Sequence, residues 1–406
     1  MDLSTLEERL HDVRLNINQA DGQVLQLGHA GAPVDWHIHL ENALRSILKR
    51  PQCALGSSYV RGEWDIDTRQ LPMLIQALIP RTSSPALLEK HPSLRRLRAR
   101  LPHIRRKRPQ PLWRNFSPWL SRICLGEELF QGCGHYREPG TTPQEAQRLR
   151  CRDLVARLQL AAGQHVLDLD AGWGALALYL AEHAGVRVTA LVSGRDQLHY
   201  AHEQARRRGL DGSVHFRLGG FCQCRGHFDR ILAGGFLQRH PEPAYPVLLR
   251  NLRALLHADG MIWLQVTGRS YRMPLSNRWY LEQQPPGYSL PLLFELGTAV
   301  ERTGLRTLLT EDLSDFLLRD LESQAARYHG KRAAISQRFG ESWTRHWEFL
   351  LASEISALRS HQLRQHQLIL GNVRCRWPTS RPQLSDDGAR LPVEIARKIP
   401  GLARDI

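Results

Sequence analysis

The run Val166-Leu167-Asp168-Leu169-Asp170-Ala171-Gly172-Trp173-Gly174 has the residue types and order for chemistry. An apolar strand leads into a glycine turn, and ALALYLAEHA follows with helical character. Glycines at such a turn let the backbone approach a ligand, and the start of the helix directs free N–H groups at it. A second strand, VRVTALV, ends about 20 residues further on, where an acidic or amide side chain could meet a ribose. The arrangement admits a dinucleotide, S-adenosylmethionine, or a βα turn with no ligand. The chain lacks the GxGxxG dinucleotide pattern, which lowers an oxidoreductase reading.

Other reactive side chains are less organised. Cys133 could be a nucleophile, yet no His with a clear partner role is evident, so a buried or site-lining thiol is expected. Cys222 and Cys224 form a lone CxC with no second pair nearby, which argues against zinc. Of the 19 His, His37, His39, His199 and His202 read as surface or core residues rather than ligands. Tyr59 and Trp64 read as packing residues.

The elements that must position these groups follow from the patterning. Across residues 115–310, short apolar strands alternate with helices, as in HVLDLDAGW, ALALYLAEHA, VRVTALV and RDQLHYAHEQARRRG. This predicts an α/β, doubly wound domain with a mostly parallel sheet. Residues 1–88 read as a small α+β domain: Arg14–Gly28 has hairpin alternation around Asp21-Gly22, and HLENALRSILK has helical spacing. Residues 89–114 are a basic linker. From Lys90 to Arg114 there are ten Lys or Arg, no acidic residue and four prolines. Leu94, Leu97, Leu101 and Ile104 recur at spacings of three and four, so part of it could lie as a basic helix on an anionic membrane. The main domain is expected to extend to residue 370, with residues 311–370 helical, and residues 371–406 form a tail.

Composition bounds the function classes. The 406 residues carry 55 Lys plus Arg against 40 Asp plus Glu, a net charge of +15. Only five of the cations are Lys, so Arg dominates, and Arg binds phosphate groups bidentately. A hydrophobic fraction of 42% excludes global disorder. No run of ~18 apolar residues suggests a membrane span. The acidic, amphipathic start MDLSTLEERLHDVRLN lacks a signal-peptide core, so a cytoplasmic protein is expected. A nucleic-acid partner would rest on charge alone, since aromatics are scarcely interleaved with the Arg run.

The segment DLDAGWG, with its Trp, resembles the glycine motif of the cyclopropane fatty acid synthase family of S-adenosylmethionine-dependent methyltransferases. Further matches run in the same order. SSYVRGEWDID is similar to an N-terminal family motif, and Cys133 precedes Glu145-Ala146-Gln147 at the family's spacing. Asp196-Gln197-Leu198 follows the second strand, and His227-Phe228-Asp229-Arg230-Ile231 matches a later one. Gln284-Pro285-Pro286-Gly287-Tyr288 resembles a family turn, and Phe339-Gly340-Glu341 opens a C-terminal helix. Coverage is about residues 15–370.

The resemblance implies a class I methyltransferase-like, seven-stranded sheet with helical insertions over a lipid channel. It implies that Asp168, Gly172, Trp173, Gly174 and Gln197 hold S-adenosylmethionine; Asp170 stands where the family motif has its first glycine, and its carboxylate could bond the cofactor's amino group. Cys133 would line the reaction centre. The implied reaction puts a methyl(ene) group on the cis double bond of an unsaturated phospholipid acyl chain at the inner membrane surface. In the family a bound bicarbonate takes the proton. Here the family's Glu, His and Tyr at that ion are Leu237, Gln265 and Leu350, and only Cys133 remains. These replacements count against bicarbonate. They also leave a second reading open: a non-catalytic member that binds lipid or a partner, as a homodimer or beside an active synthase.

Overall fold

The computed structural model describes residues 6–8, 10, 13–79, 117–270 and 275–377. The basic stretch 90–114 and most of the tail lie outside these residues.

The main sheet has seven strands in the order β10-β11-β9-β8-β5-β6-β7. Here β5 is His165–Asp168, β6 Arg187–Val192, β7 Val214–Leu218, β8 Phe228–Gly234 and β9 Leu256–Arg269, and β10 is Arg306–Asp312 and β11 Leu363–Gly371. Strands β5 to β9 pair in parallel, while β11 runs antiparallel to both β9 and β10. Alternation along each strand fills the two faces. Leu167, Ile231, Ala233, Ile262 and Leu264 enter one core, and Val166, Leu232, Met261 and Trp263 the other. Strand order reverses beside β5: β6 and β7 lie on one side, β8 and β9 on the other. Ligands of such sheets bind at the carboxyl ends of the strands at this reversal.

The expectation of an all-helical stretch over 311–370 is corrected. The helix Glu341–Arg359 ends, and the chain returns as strand β11 into the sheet. The polar residues of LRQHQLILG concealed this strand. Gln365 and Gln367 are buried, taking hydrogen bonds from the Thr267 hydroxyl at 2.6 Å and the Trp263 indole at 2.8 Å. A strand whose inward side chains are hydrogen-bonded amides does not look apolar.

The N-terminal sheet has the order β2-β1-β3-β4, with β1 Val13–Asn18, β2 Val24–Leu27, β3 Ala32–Ile38 and β4 Trp64–Asp65. β1 and β2 form the expected hairpin, in which Asp21 accepts a hydrogen bond from the Gln23 N–H at 2.9 Å. The core of this sheet is completed by distant residues, Trp279, Phe349 and Ala352. Tyr59 and Trp64 are buried in it, with ring centroids 4.7 Å apart. Arg345, also buried, donates to the Tyr59 and Trp64 carbonyls and pairs with Asp65. The helix from Glu341 therefore anchors the small sheet against the large one.

Candidate active site

A cavity of about 230 Å³ opens at the carboxyl ends of β5, β8 and β9. Its wall includes Asp168 and Asp170, Cys133, Gln265 and Glu354. One end belongs to the turn after β5. Asp168, the last residue of that strand, is 3% exposed. Its Oδ1 accepts the Asp170 N–H at 3.1 Å, whereas Oδ2 is buried with no hydrogen-bond partner among the described residues. Burial pushes this carboxyl up to about 7. Asp170 is likewise pushed up by burial, against the opposing pull of Arg239, whose guanidinium lies 2.9 Å away. Arg239 closes the short turn Leu237–Arg239 that follows β8, so the ion pair spans the two strand ends.

The turn itself needs its glycines. Gly172 and Gly174 have φ of +54° and +86°, which L side chains rarely adopt. A Cβ on Gly172 would strike the Gln131 side chain, and one on Gly174 would lie 2.8 Å from the Phe216 ring. Of the residues singled out from sequence, Cys133, Asp168 and Asp170 line the cavity. Gly172 and Gly174 shape the turn behind it. Trp173 is 2% exposed and packs edge-on against Tyr200. Gln197 accepts the Gly194 N–H at 3.2 Å and so caps the helix Arg195–Arg207 after β6. Neither Trp173 nor Gln197 is in the cavity wall.

The other end is built from a loop and two helices. Cys133 is fully buried; its N–H donates to Gln265 Oε1 at 3.4 Å, and its thiol donates to the Gly134 and Leu313 carbonyls. Burial, reinforced by Asp320, holds the thiol well above its ordinary pKa. A protonated, hydrogen-bonded thiol is a poor nucleophile, so a lining role fits better. Asp320, on the helix Ser314–Gly330, accepts the Gly134 N–H at 2.6 Å and the Tyr136 hydroxyl. His135 pairs with Asp153 at 2.7 Å, and the Gln147 amide donates to the Gly132 carbonyl at 2.9 Å. The loop over the cavity is thus held from both sides.

Sequence reasoning missed Arg150, Asp320, His135, Arg239 and Glu354. Arg150 is 0% exposed, donates to the Gln131 carbonyl, and buries Nε and Nη2 without a hydrogen-bond partner among the described residues. It also explains Gly132, φ +96°. A Cβ there would collide with the Arg150 guanidinium and lie 2.6 Å from Gln265 Oε1. In sequence, Arg150 is one more cation in QRLRCRDL, with nothing to separate it from its exposed neighbours.

The side chains implied for a bicarbonate ion do not assemble here. Leu237 is 1% exposed and packs in the core beside Phe236 and Phe221. Leu350 packs between two apolar clusters. Of the four positions, only Cys133 and Gln265 reach the cavity. Leu237 and Leu350 therefore offer that anion nothing, while Gln265 keeps a buried Nε2 with no hydrogen-bond partner among the described residues. The residues present do fit S-adenosylmethionine, whose sulfonium and ammonium are cationic. Asp168 offers an unpaired carboxylate oxygen and Asp170 a second carboxylate, and Arg239 can receive the cofactor's carboxylate.

The sheet, its strand reversal and the glycine turn define a class I methyltransferase-like fold. Solved structures with this fold include the mycolic acid cyclopropane synthase CmaA1 complexed with SAH and CTAB. It has TM-score 0.60 and 20% identity, over 63% of this chain and 94% of that one. Coclaurine N-methyltransferase matches with TM-score 0.62 and 20% identity, over 81% of this chain and all of that one. Residues 116–368 match the model of the mycolic acid cyclopropane synthetase family, and the chain belongs to that family. It is 24% identical to the cyclopropane-fatty-acyl-phospholipid synthase of Escherichia coli K12, over 78% of this chain and 79% of that protein. It is 23% identical to the tuberculostearic acid methyltransferase UfaA1 of Mycobacterium tuberculosis, over 88% and 87%. The protein is an S-adenosylmethionine-dependent methyltransferase of the cyclopropane fatty acid synthase type.

Proposed function

We propose that the protein adds a methyl(ene) group to the double bond of an unsaturated phospholipid acyl chain, or a closely related lipid, at a membrane surface. S-adenosylmethionine would supply an electrophilic methyl carbon. An alkene is a weak nucleophile, so the protein's part is to align the two and keep water out. The observation that carries this reading is the buried, unpaired Asp168 Oδ2 at the strand reversal. With Asp170 it offers negative charge to a cationic cofactor. The chain's similarity to a cyclopropane-fatty-acyl-phospholipid synthase and a tuberculostearic acid methyltransferase supports the lipid class.

A second cavity of about 240 Å³ supports a lipid as well. The helix Glu341–Arg359 lines it as well, with Pro72, Ala325, Leu351, Ala352 and Ile355 in its wall beside Arg69, Glu348 and the Arg359–Glu322 ion pair. Its apolar residues suit an acyl chain, with Arg69 at its margin. The basic run Lys90–Arg114 supports attachment to the cytoplasmic face of the membrane. Among the described residues no helix is long and apolar enough to cross a membrane.

Labelled S-adenosylmethionine incubated with mixed bacterial phospholipids tests the proposal. Label should enter the lipid fraction, and mass spectrometry should find an added CH2 in monounsaturated chains. A folded protein that labels none of these lipids overturns it. The replacements at 237, 265 and 350 favour one competing reading: a lipid- or partner-binding protein that acts as a dimer or beside an active synthase. Micromolar cofactor binding in calorimetry would count against a pure scaffold. Membrane attachment is tested by salt-sensitive sedimentation with anionic vesicles, with RNA as competitor.

A further inference from the structure

We propose that Glu354 is the proton acceptor of the reaction, in place of an anion for which Leu237 and Leu350 supply no ligand. This rests on the lipid methyl-transfer reading above. Three observations carry it. Glu354 lies in the wall of the same cavity as Asp168, Cys133 and Gln265. It stands well inside the helix Glu341–Arg359, which packs against both the small sheet and the large one, so its backbone is rigidly placed. No hydrogen bond or ion pair reaches its carboxylate among the described residues, whereas Glu348 on the same helix and Asp320 on the helix Ser314–Gly330 are each bonded.

Its surroundings suit a base. Burial alone pushes Glu354 up to about 7, which leaves it substantially ionised at neutral pH yet basic enough to accept a proton. Burial first, and then the Glu354 charge, push the Tyr280 and Tyr288 hydroxyls up, so these neighbours stay protonated and do not compete. A carboxylate in the cavity wall also stabilises positive charge developing on the substrate.

The step balances without a further reactant. The alkene π pair forms the new C–C bond to the methyl carbon, while the S–C pair remains on sulfur. The second alkene carbon becomes positive. Glu354 removes one proton from the transferred methyl group, and the released C–H pair closes the three-membered ring. The products are the cyclopropane, S-adenosylhomocysteine and a protonated Glu354, which returns its proton to solvent.

The test uses the full chain with labelled S-adenosylmethionine and vesicles of monounsaturated phosphatidylglycerol and phosphatidylethanolamine, in buffer scrubbed of bicarbonate. The wild type should form product. Glu354→Gln should lose at least ~100-fold in rate, with cofactor affinity unchanged in calorimetry. Glu354→Ala should regain rate with added formate, which a merely structural carboxylate would not allow. A Gln variant within about tenfold of wild type, or a wild type that needs added bicarbonate, overturns the assignment while leaving the lipid reading intact. If Glu354→Gln fails to fold, formate rescue of the Ala variant decides: rescue supports the role and its absence overturns it. A wild type that labels no lipid, with or without bicarbonate, removes the function and this role together.

Discussion

The two ends of the cavity were built differently. The end at the turn after β5 is made of strand termini and backbone. Asp168 closes β5, Gly172 and Gly174 bend the chain, and the Asp170–Arg239 pair joins the ends of β5 and β8. The end at Cys133 is made of side chains from a loop and from the helices Ser314–Gly330 and Glu341–Arg359. Backbone geometry is shared by every member of such a fold, so the first end keeps its form under extensive sequence change. The second can lose one ligand and gain another wherever a neighbouring helix offers a side chain. Glu354, on the helix Glu341–Arg359, is the proposed case of such a gain.

The sharpest way to break the comparison is to force the family residue back into place. Leu237→Glu would put a carboxylate into the packed core next to Phe221 and Phe236. The expected result is a loss of roughly 3–5 kcal/mol in stability and no gain of product. Denaturant unfolding and lipid mass spectrometry check both halves. A stable variant with more cyclopropane would show that position 237 still addresses the cavity. Gln265→His is the milder companion, because Gln265 does face it.

At the other end, Asp168→Asn should weaken cofactor binding ~100-fold, about 2.7 kcal/mol, as read by calorimetry. Stability should move the opposite way. The folded pKa of Asp168, about 7, lies above that of an unfolded Asp. Its stabilising contribution is therefore complete below pH ~4 and is lost as pH rises through about 7. Without the cofactor, Asp168→Asn should be more stable than wild type above neutrality, by roughly 1–3 kcal/mol, with little difference in mild acid. Equal affinity in the variant would remove Asp168 from the cofactor site.

How much of this was readable in sequence follows the same division. The parallel sheet, the glycine turn and the N-terminal hairpin were legible because periodicity and glycine report backbone. Strand β11 was not, because Gln365 and Gln367 satisfy their amides inside the protein and so mimic a surface segment. Cys133 was legible from its spacing to Glu145-Ala146-Gln147. Arg150, Asp320 and Glu354 were not, since each is a charged residue on a helix, and only the packing around it separates it from an exposed one. Arg239 was hidden for a different reason: its partner, Asp170, stands where the family has glycine, and nothing in the chain links positions 69 residues apart.

That pair gives the smallest expected effect and bears most directly on why Asp170 is tolerated. The side chains are 41% and 24% exposed, so solvent screens their attraction and the pair adds little to stability. Its role in binding is larger. With Arg239 present, the added carboxylate at 170 is partly neutralised, and the cofactor's ammonium and carboxylate can each find an opposite charge. Arg239→Ala should cost ~10-fold in cofactor affinity while leaving unfolding nearly unchanged. Because Arg239 lowers the pKa of Asp170 against the push of burial, its removal lets that pKa rise further. A cationic ligand prefers both aspartates ionised, so affinity should climb with pH through about 7 as Asp168 loses its proton. In Arg239→Ala the climb should extend to higher pH, because Asp170 ionises later. Calorimetry across pH 6 to 9 reads this. An unshifted profile would mean that Asp170 does not meet the cofactor, and Asp170→Gly should then bind as wild type does.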